Sequence, residues 1–304
     1  DIHPVKWFRY NFIHAWLNSD LIDSASIRST GVTSTLLDRS LSYSKIQKYY
    51  VGHSVSIQPI DNWWLTFGES IIYSDQLEYI YFLPVFFRLA DHYNSMSGGD
   101  SGDNAQIFFN TSYRWEQIKS KFYLSLYIDE LSPESFFSGG DNAQVYAATF
   151  GSKFTNPFWN DSYLTLEYTA IKPYSYINGD PAQTYFSSGY QLGNWIGSNA
   201  IQVYAMFEQY ISQSLKFETQ YQLIKKGSQE NINDYYNRVT STYPLLSGEE
   251  STYSELGIKL SYNPYNDLYF ILDYRNVFNA DGRFINEYNL KKGSSFSTLI
   301  NYGF

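Results

Sequence analysis

The sequence predicts an all-β fold, a transmembrane antiparallel up-and-down β-barrel with about twelve strands in this chain. Three observations predict it. Long segments alternate apolar and polar residues with a period of two; long polar links alternate with tight turns; and aromatic residues make up 20% of 304 residues, with 31 Tyr against 22 Phe. Successive side chains of a strand point to opposite faces, so such alternation marks a wall with one greasy and one wet side.

The alternation places strands near 5–17, 49–60, 63–74, 104–116, 119–131, 141–155, 159–172, 199–211, 213–225, 251–263, 266–278 and 294–304. In KFYLSLYIDE, Phe122, Leu124, Leu126 and Ile128 oppose Tyr123, Ser125, Tyr127 and Asp129. SLKFETQYQL sets Leu215, Phe217, Tyr221 and Leu223 against Lys216, Glu218, Gln220 and Gln222. ELGIKLSY, NDLYFILDYR and the final FSTLINYGF repeat the pattern. Strands of soluble proteins average about 5–6 residues; these run to about twice that, the length a tilted strand needs to cross a bilayer.

The links sort by length. Those at 18–48, 75–103, 132–140, 173–198, 226–250 and 279–293 are long and rich in Gly, Ser, Asn and Asp, whereas those near 61–62, 117–118, 156–158, 212 and 264–265 are tight. Three tight ones share Pro followed by an Asn or Asp turn: Pro59-Ile60-Asp61-Asn62, Pro157-Phe158-Trp159-Asn160 and Pro264-Tyr265-Asn266-Asp267. Long loops at one rim and short turns at the other characterise outer-membrane barrels. The expectation is a single domain over 1–304, its last strand greasy on the Phe296, Ile300, Tyr302 and Phe304 side, with a periplasmic C-terminus in a Gram-negative outer membrane.

Composition agrees. Tyr-rich surfaces suit the two edges of a membrane, where a ring sits in hydrocarbon and its hydroxyl in water. The net charge of −9 excludes the basic footprint of a nucleic-acid binder. The chain has no cysteine, which suits an oxidising envelope compartment. The greasiest stretch, YIYFLPVFFRLA at 79–90, is too short for a membrane helix and is interrupted by Pro84 and Arg88. A first residue Asp1 rather than Met is expected of a mature or truncated form.

Chemistry-bearing groups are few. There are four histidines, and His53-Ser54 and His92-Tyr93-Asn94-Ser95 are the pairs nearest to a nucleophilic arrangement. Neighbours within a strand point apart, so no triad is expected and the protein is read as non-catalytic. No metal-ligand spacing and no cofactor motif occurs; DSGDN at 100–104 reads as a solvated acidic turn. Glu167, Glu208, Lys216, Glu218, Glu255, Lys259, Asp273 and Arg275 are expected to line the interior, because a charge in hydrocarbon is costly. Such a lumen is either packed and structural or able to bind sugar. Glu69 breaks the rule, sharing a face with Leu65, Phe67, Ile71 and Tyr73; either a bulge near Gly68 turns it inward or the lipid face of that strand is the Trp64 and Ile72 side. The aromatic segment 79–95 is expected to fold over or into the barrel as a plug, with Arg88 meeting Glu69 or Asp129.

Several segments in order resemble one family. WWLTFGESIIYSD (63–75), YIYFLPVFFRLADHYNS (79–95), GDNAQIFFNTSYRW (102–115), KFYLSLYIDEL (121–131), LEYTAIKPYSYING (166–179) and SGYQLGNWIGSNA (188–200) are similar to the Wzi-type capsule-assembly family of outer-membrane barrels. Two departures stand out: Ile177 and Asn178 occupy the place near Tyr176 where that family carries a His, and the family's barrel has about eighteen strands, so the resemblance implies a larger barrel of which roughly six N-terminal strands are expected to be absent from this sequence. The resemblance implies a non-catalytic lectin that tethers or organises capsule or exopolysaccharide. The expected site or lumen residues are Glu69, Tyr73, Arg88, His92, Asn104, Asp129 and Glu167. Expected partners are outer-membrane lipid and lipopolysaccharide, surface polysaccharide and other envelope proteins. The alternatives are an accessory barrel in a larger envelope complex or a general diffusion porin.

Overall fold

All twelve expected strands form, and a short one joins them. The computed structural model describes residues 2–30, 41–83, 87, 103–130, 145–229, 231–237, 243–265, 267–286 and 288–303. In chain order the strands are β1 (Ile2–Val5), β2 (Phe8–Ile22), β3 (Arg28–Ser29), β4 (Leu41–Ser42), β5 (Lys45–Ile60) and β6 (Trp63–Ser74). There follow β7 (Asn104–Trp115), β8 (Ser120–Glu130), β9 (Val145–Thr155), β10 (Ser162–Ile171), β11 (Phe186–Ser187) and β12 (Tyr190–Gln191). The last are β13 (Ala200–Tyr210), β14 (Leu215–Gly227), β15 (Glu250–Tyr265), β16 (Leu268–Ala280) and β17 (Gly293–Tyr302). Two short helices, α1 (Ile232–Tyr236) and α2 (Arg283–Asn286), lie in long links. Among the described residues no helix is long and apolar enough to cross a membrane.

Thirteen strands make one antiparallel sheet in the order β1-β2-β5-β6-β7-β8-β9-β10-β13-β14-β15-β16-β17. The pairs β3–β4 and β11–β12 are separate hairpins in the links. The expected first strand is in fact a hairpin, Val5 facing Phe8 across Lys6 and Trp7. The short turns use residues that tolerate left-handed backbone: Asn62 at φ 68° after β5, and Asn156 and Asp161 at φ 56° and 58° between β9 and β10.

Ladder partners share a face, so the sheet's two sides can be followed across every strand. One side carries the expected polar set: Glu167 faces Tyr204, and Glu208, Glu218, Lys259 and Asp273 follow in register across β13 to β16. This side is concave. A single buried cluster draws Ile72, Ala147, Ile171, Ala200, Ile224, Tyr253 and Ala280 from strands across the sheet onto Tyr176, Tyr185, Ile196 and Phe284 from the links. The other side is apolar and turned outward, with Phe296 67% and Ile300 64% exposed on the last strand. A polar lumen within a greasy belt follows from the alternation alone.

Two segments depart from the sequence expectation. The lumen mouth is crossed by the 172–199 link, and the described part of 79–95 does not enter it. From β10 the link reaches β2, where Asn18 N–H donates to Ser187 Oγ at 3.1 Å. It meets β5, where Lys48 Nζ donates to the Thr184 carbonyl at 2.6 Å, and β7, where Asn104 Nδ2 donates to the Gln183 carbonyl at 2.9 Å. Toward β14, Lys226 Nζ holds the carbonyls of Ile196 and Ser198 at 2.9 and 2.8 Å.

Of the 79–95 segment, residues 84–86 and 88–95 lie outside the described residues. Its described part packs on the convex side, where Tyr81 and Phe87 join Tyr49, Val51, Ile71 and Tyr73. Glu69 is neither turned inward by a bulge nor on a reversed strand, because the ladders of β6 run through Gly68 without a shift and Ile72 enters the concave cluster. It stays on the convex side and is only 7% exposed. The reason is local cover: His53 Nε2 and the Phe87 N–H each lie 2.8 Å from Glu69 Oε1, and the Phe87 ring stacks on His53 at 4.4 Å. Tyr10 and His14 complete this polar patch, His14 meeting the Tyr73 hydroxyl at 3.0 Å and stacking on Phe82. The segment thus shields outward polar groups that lipid would not tolerate.

Candidate functional site

Residues expected at the site fall into three places. Glu69 and Tyr73 belong to the convex patch. Asn104 and Asp129 rise at the concave mouth and hold the crossing link, Asp129 Oδ2 accepting from the Tyr176 N–H at 2.9 Å. Glu167 lies deeper in the lumen and accepts from the Tyr123 hydroxyl, which reaches it across β9 because Gly151 stands between; a Cβ there would collide with the Tyr123 ring. Arg88 and His92 lie outside the described residues.

The lower lumen is a ladder of alternating charge. Lys216 Nζ lies 2.8 Å from Glu208 and 3.1 Å from Glu218, and Lys259 Nζ 3.2 Å from the other Glu218 oxygen. Arg275 meets Asp273 with both Nε and Nη2, at 3.2 and 3.3 Å. These groups sit above a cavity of about 350 Å³ bounded by Glu218, Gln220, Lys259, Asp273 and Arg275. Pairing of this kind contributes little to stability where water reaches it; its consequence is a wet, near-neutral wall.

Nearer the mouth, Arg275 also borders a second cavity of about 250 Å³. Its polar groups are Gln222, Glu255 and Arg275 from β14 to β16; its aromatic walls are Trp195, Tyr253, Phe284 and Tyr288. Trp195 is 60% exposed at the lip. The link that carries it is packed through its phenols: Tyr176 lies 4.8 Å from Tyr127 in a tilted contact and 5.9 Å from Tyr185 in a stacked one, between ring centroids. Burial, reinforced by the Asp129 carboxylate, pushes the Tyr176 phenol up to about 12, and burial raises Tyr185 further, so both stay neutral hydrogen-bonding groups. Glu255 and Arg275 were legible as lumenal residues. Trp195 and Tyr288 were not, because links carry no periodic signal; the cue was an aromatic residue within a long link above a polar wall.

Among the described residues no group of three or more His, Cys, Asp or Glu is arranged to hold a metal ion. The second cavity brings aromatic faces, a carboxylate, an amide and a guanidinium together on one open pocket.

An up-and-down antiparallel sheet with a polar concave face, an apolar convex belt and long links at one rim defines an outer-membrane β-barrel fold. One solved structure agrees on that class. The chain is similar to Wzi of Escherichia coli, described as an outer-membrane protein involved in group 1 capsule assembly and a carbohydrate-binding β-barrel, at 15% identity and a TM-score of 0.53. The match covers 84% of this chain and 52% of that one, so the chain spans about half the length of Wzi. It also aligns with Salmonella typhi OmpF, solved with daunomycin, at 10% identity and a TM-score of 0.38 over 97% of each chain. No family model and no curated protein matches the sequence.

Proposed function

We propose that this protein binds cell-surface polysaccharide at the mouth of an outer-membrane barrel, without catalysis, and so helps tether or organise capsule or exopolysaccharide. One observation carries the reading: the 250 Å³ mouth cavity sets Trp195 and Tyr288 against Gln222, Glu255 and Arg275. Sugar rings present apolar C–H faces that pack on aromatic planes, and hydroxyls around their edges that need exactly such donors and acceptors. The carbohydrate binding of Wzi supports the same reading by fold analogy alone. In this reading the long links face outward, the C-terminus is periplasmic, and the partners are lipid, lipopolysaccharide, surface polysaccharide and other envelope proteins.

The test is glycan-array binding by the purified barrel, beside Trp195→Ala. The variant loses binding while keeping the fold, since Trp195 is exposed at the lip. A wild type that binds no glycan, yet passes small solutes freely through planar bilayers, would favour the porin alternative, for which the charged lower cavity speaks.

A further inference from the structure

We infer that the protein binds a linear glycan chain end-on, the chain's terminal units passing through the mouth cavity into the cavity below. This deepens the polysaccharide reading above and rests on it. The two cavities are successive on the same strands. Gln222 faces Glu255 at the mouth. The next row on the concave face is Gln220, Gly257 and Arg275, and the one after it Glu218, Lys259, Asp273 and Ser297. Rows that share a face are two residues apart, about 6.6 Å along the strand, so a single row separates the mouth from the lower cavity. Arg275 borders both.

That row is thin because its central residue has no side chain. A Cβ on Gly257 would lie 3.0 Å from Gln220 Cγ, so the Gln220 side chain lies across the glycine. The waist is bounded by an amide and a guanidinium, and the two bonds from Arg275 to Asp273 do not use Nη1. Such groups exchange hydrogen bonds with sugar hydroxyls. Below the waist, Met206, Ile271 and Leu299 stand among the paired charges, so the lower cavity repeats the mixture of apolar and hydrogen-bonding surface found at the mouth. Above it, the 172–199 link is tied to β5 through Lys48 and to β14 through Lys226. A chain that enters beside Trp195 has the lower cavity ahead of it and a tied link across the mouth. One end can follow that path; the middle of a chain would have to double back.

The experiment measures binding of malto-, cello- and N-acetylchito-oligosaccharides, each as dimer and hexamer, to the detergent-purified full chain. In at least one series the hexamer is expected to bind at least about tenfold more tightly than the dimer, the worth of one added hydrogen bond to a charged group. Leu299→Trp, which fills the lower cavity from β17, is expected to bring hexamer binding down to that of the dimer and to leave the dimer unaffected. A second readout is independent of that variant. Ser297→Cys puts the chain's only thiol in the lower cavity, and its reaction with a methanethiosulfonate should slow under saturating hexamer but not under saturating dimer. Equal affinity for the two lengths, full hexamer binding by Leu299→Trp, or a thiol that the hexamer leaves unprotected would overturn end-on entry and leave the polysaccharide reading standing. Failure of all three series, with binding to other glycans retained, would overturn it likewise; failure of every glycan would sink both. Should Leu299→Trp not assemble, the thiol decides.

Discussion

Lys48 Nζ lies 2.6 Å from the carbonyl oxygen of Thr184, and this contact joins β5 to a link that leaves the sheet at β10. Lys48 is buried, so the ammonium has little water to fall back on. Lys48→Met keeps the apolar stem and removes the donor; the Thr184 carbonyl keeps the Phe186 N–H at 2.8 Å, and the lost hydrogen bond to a charged group costs about 1.5–3 kcal/mol. The link is then expected to detach more often from the β5 side. Single-channel recordings in planar bilayers should show new openings, and protease should nick 181–192 faster than in wild type. Recordings indistinguishable from wild type would mean that the link does not occlude the lumen.

The convex patch predicts a different asymmetry. Glu69 Oε1 is bonded by both His53 and the Phe87 N–H, on a face otherwise built for lipid. Removing one partner of a buried pair strands the other; replacing both with apolar groups does not. Glu69→Leu alone is expected to cost about 3–5 kcal/mol in urea unfolding from lipid vesicles, and the double variant His53→Leu, Glu69→Leu to recover a large part of that. Additive losses in the double variant would show that the two residues are not coupled.

How far the sequence reveals this molecule depends on the range of the forces involved. The period-two alternation is set residue by residue, so the twelve long strands and the lumenal placement of Glu167, Glu218, Lys259 and Asp273 were legible. Ile2–Val5 escaped because four residues with Pro4 among them carry too little pattern. The crossing link escaped for another reason. Its position depends on contacts such as Lys48 with Thr184 and Asn104 with Gln183, made between residues far apart in the chain and unmarked by any repeat. Glu69 stood out as an anomaly in its strand, but the cover that explains it is supplied by Phe87, which lies beyond the strand's end and outside its period-two pattern.

A pH dependence follows from Lys172, which lies just beyond β10 and donates to the Tyr243 carbonyl at 2.8 Å. Burial holds its pKa below the ordinary lysine value of 10.5. In the window between the lowered value and 10.5, the docked state binds fewer protons than the detached one, so docking strengthens as pH rises through that window. Below the window both states are protonated and the dependence vanishes. Hydrogen exchange at Tyr243, corrected for intrinsic rate, should therefore slow toward alkaline pH, and Lys172→Met should remove the trend. A flat profile would place the lysine in water rather than against the link.

The two edges of the sheet make the last prediction. Among the described residues neither the outer edge of β1 nor that of β17 carries a ladder, and each unpaired backbone group in hydrocarbon costs several kcal/mol. Direct closure does not solve this. β1 and β17 are the first and thirteenth strands of an antiparallel order, so they run in the same direction, and β1 offers four residues against ten in β17. In the membrane, additional strands are expected to stand between them. Cysteines placed at His3 and Thr298 should then stay unlinked under copper–phenanthroline oxidation of membrane-embedded protein, while a control pair at Leu164 and Phe207, ladder partners on β10 and β13, should link readily. Rapid linkage of His3→Cys to Thr298→Cys would show instead that these thirteen strands close on themselves.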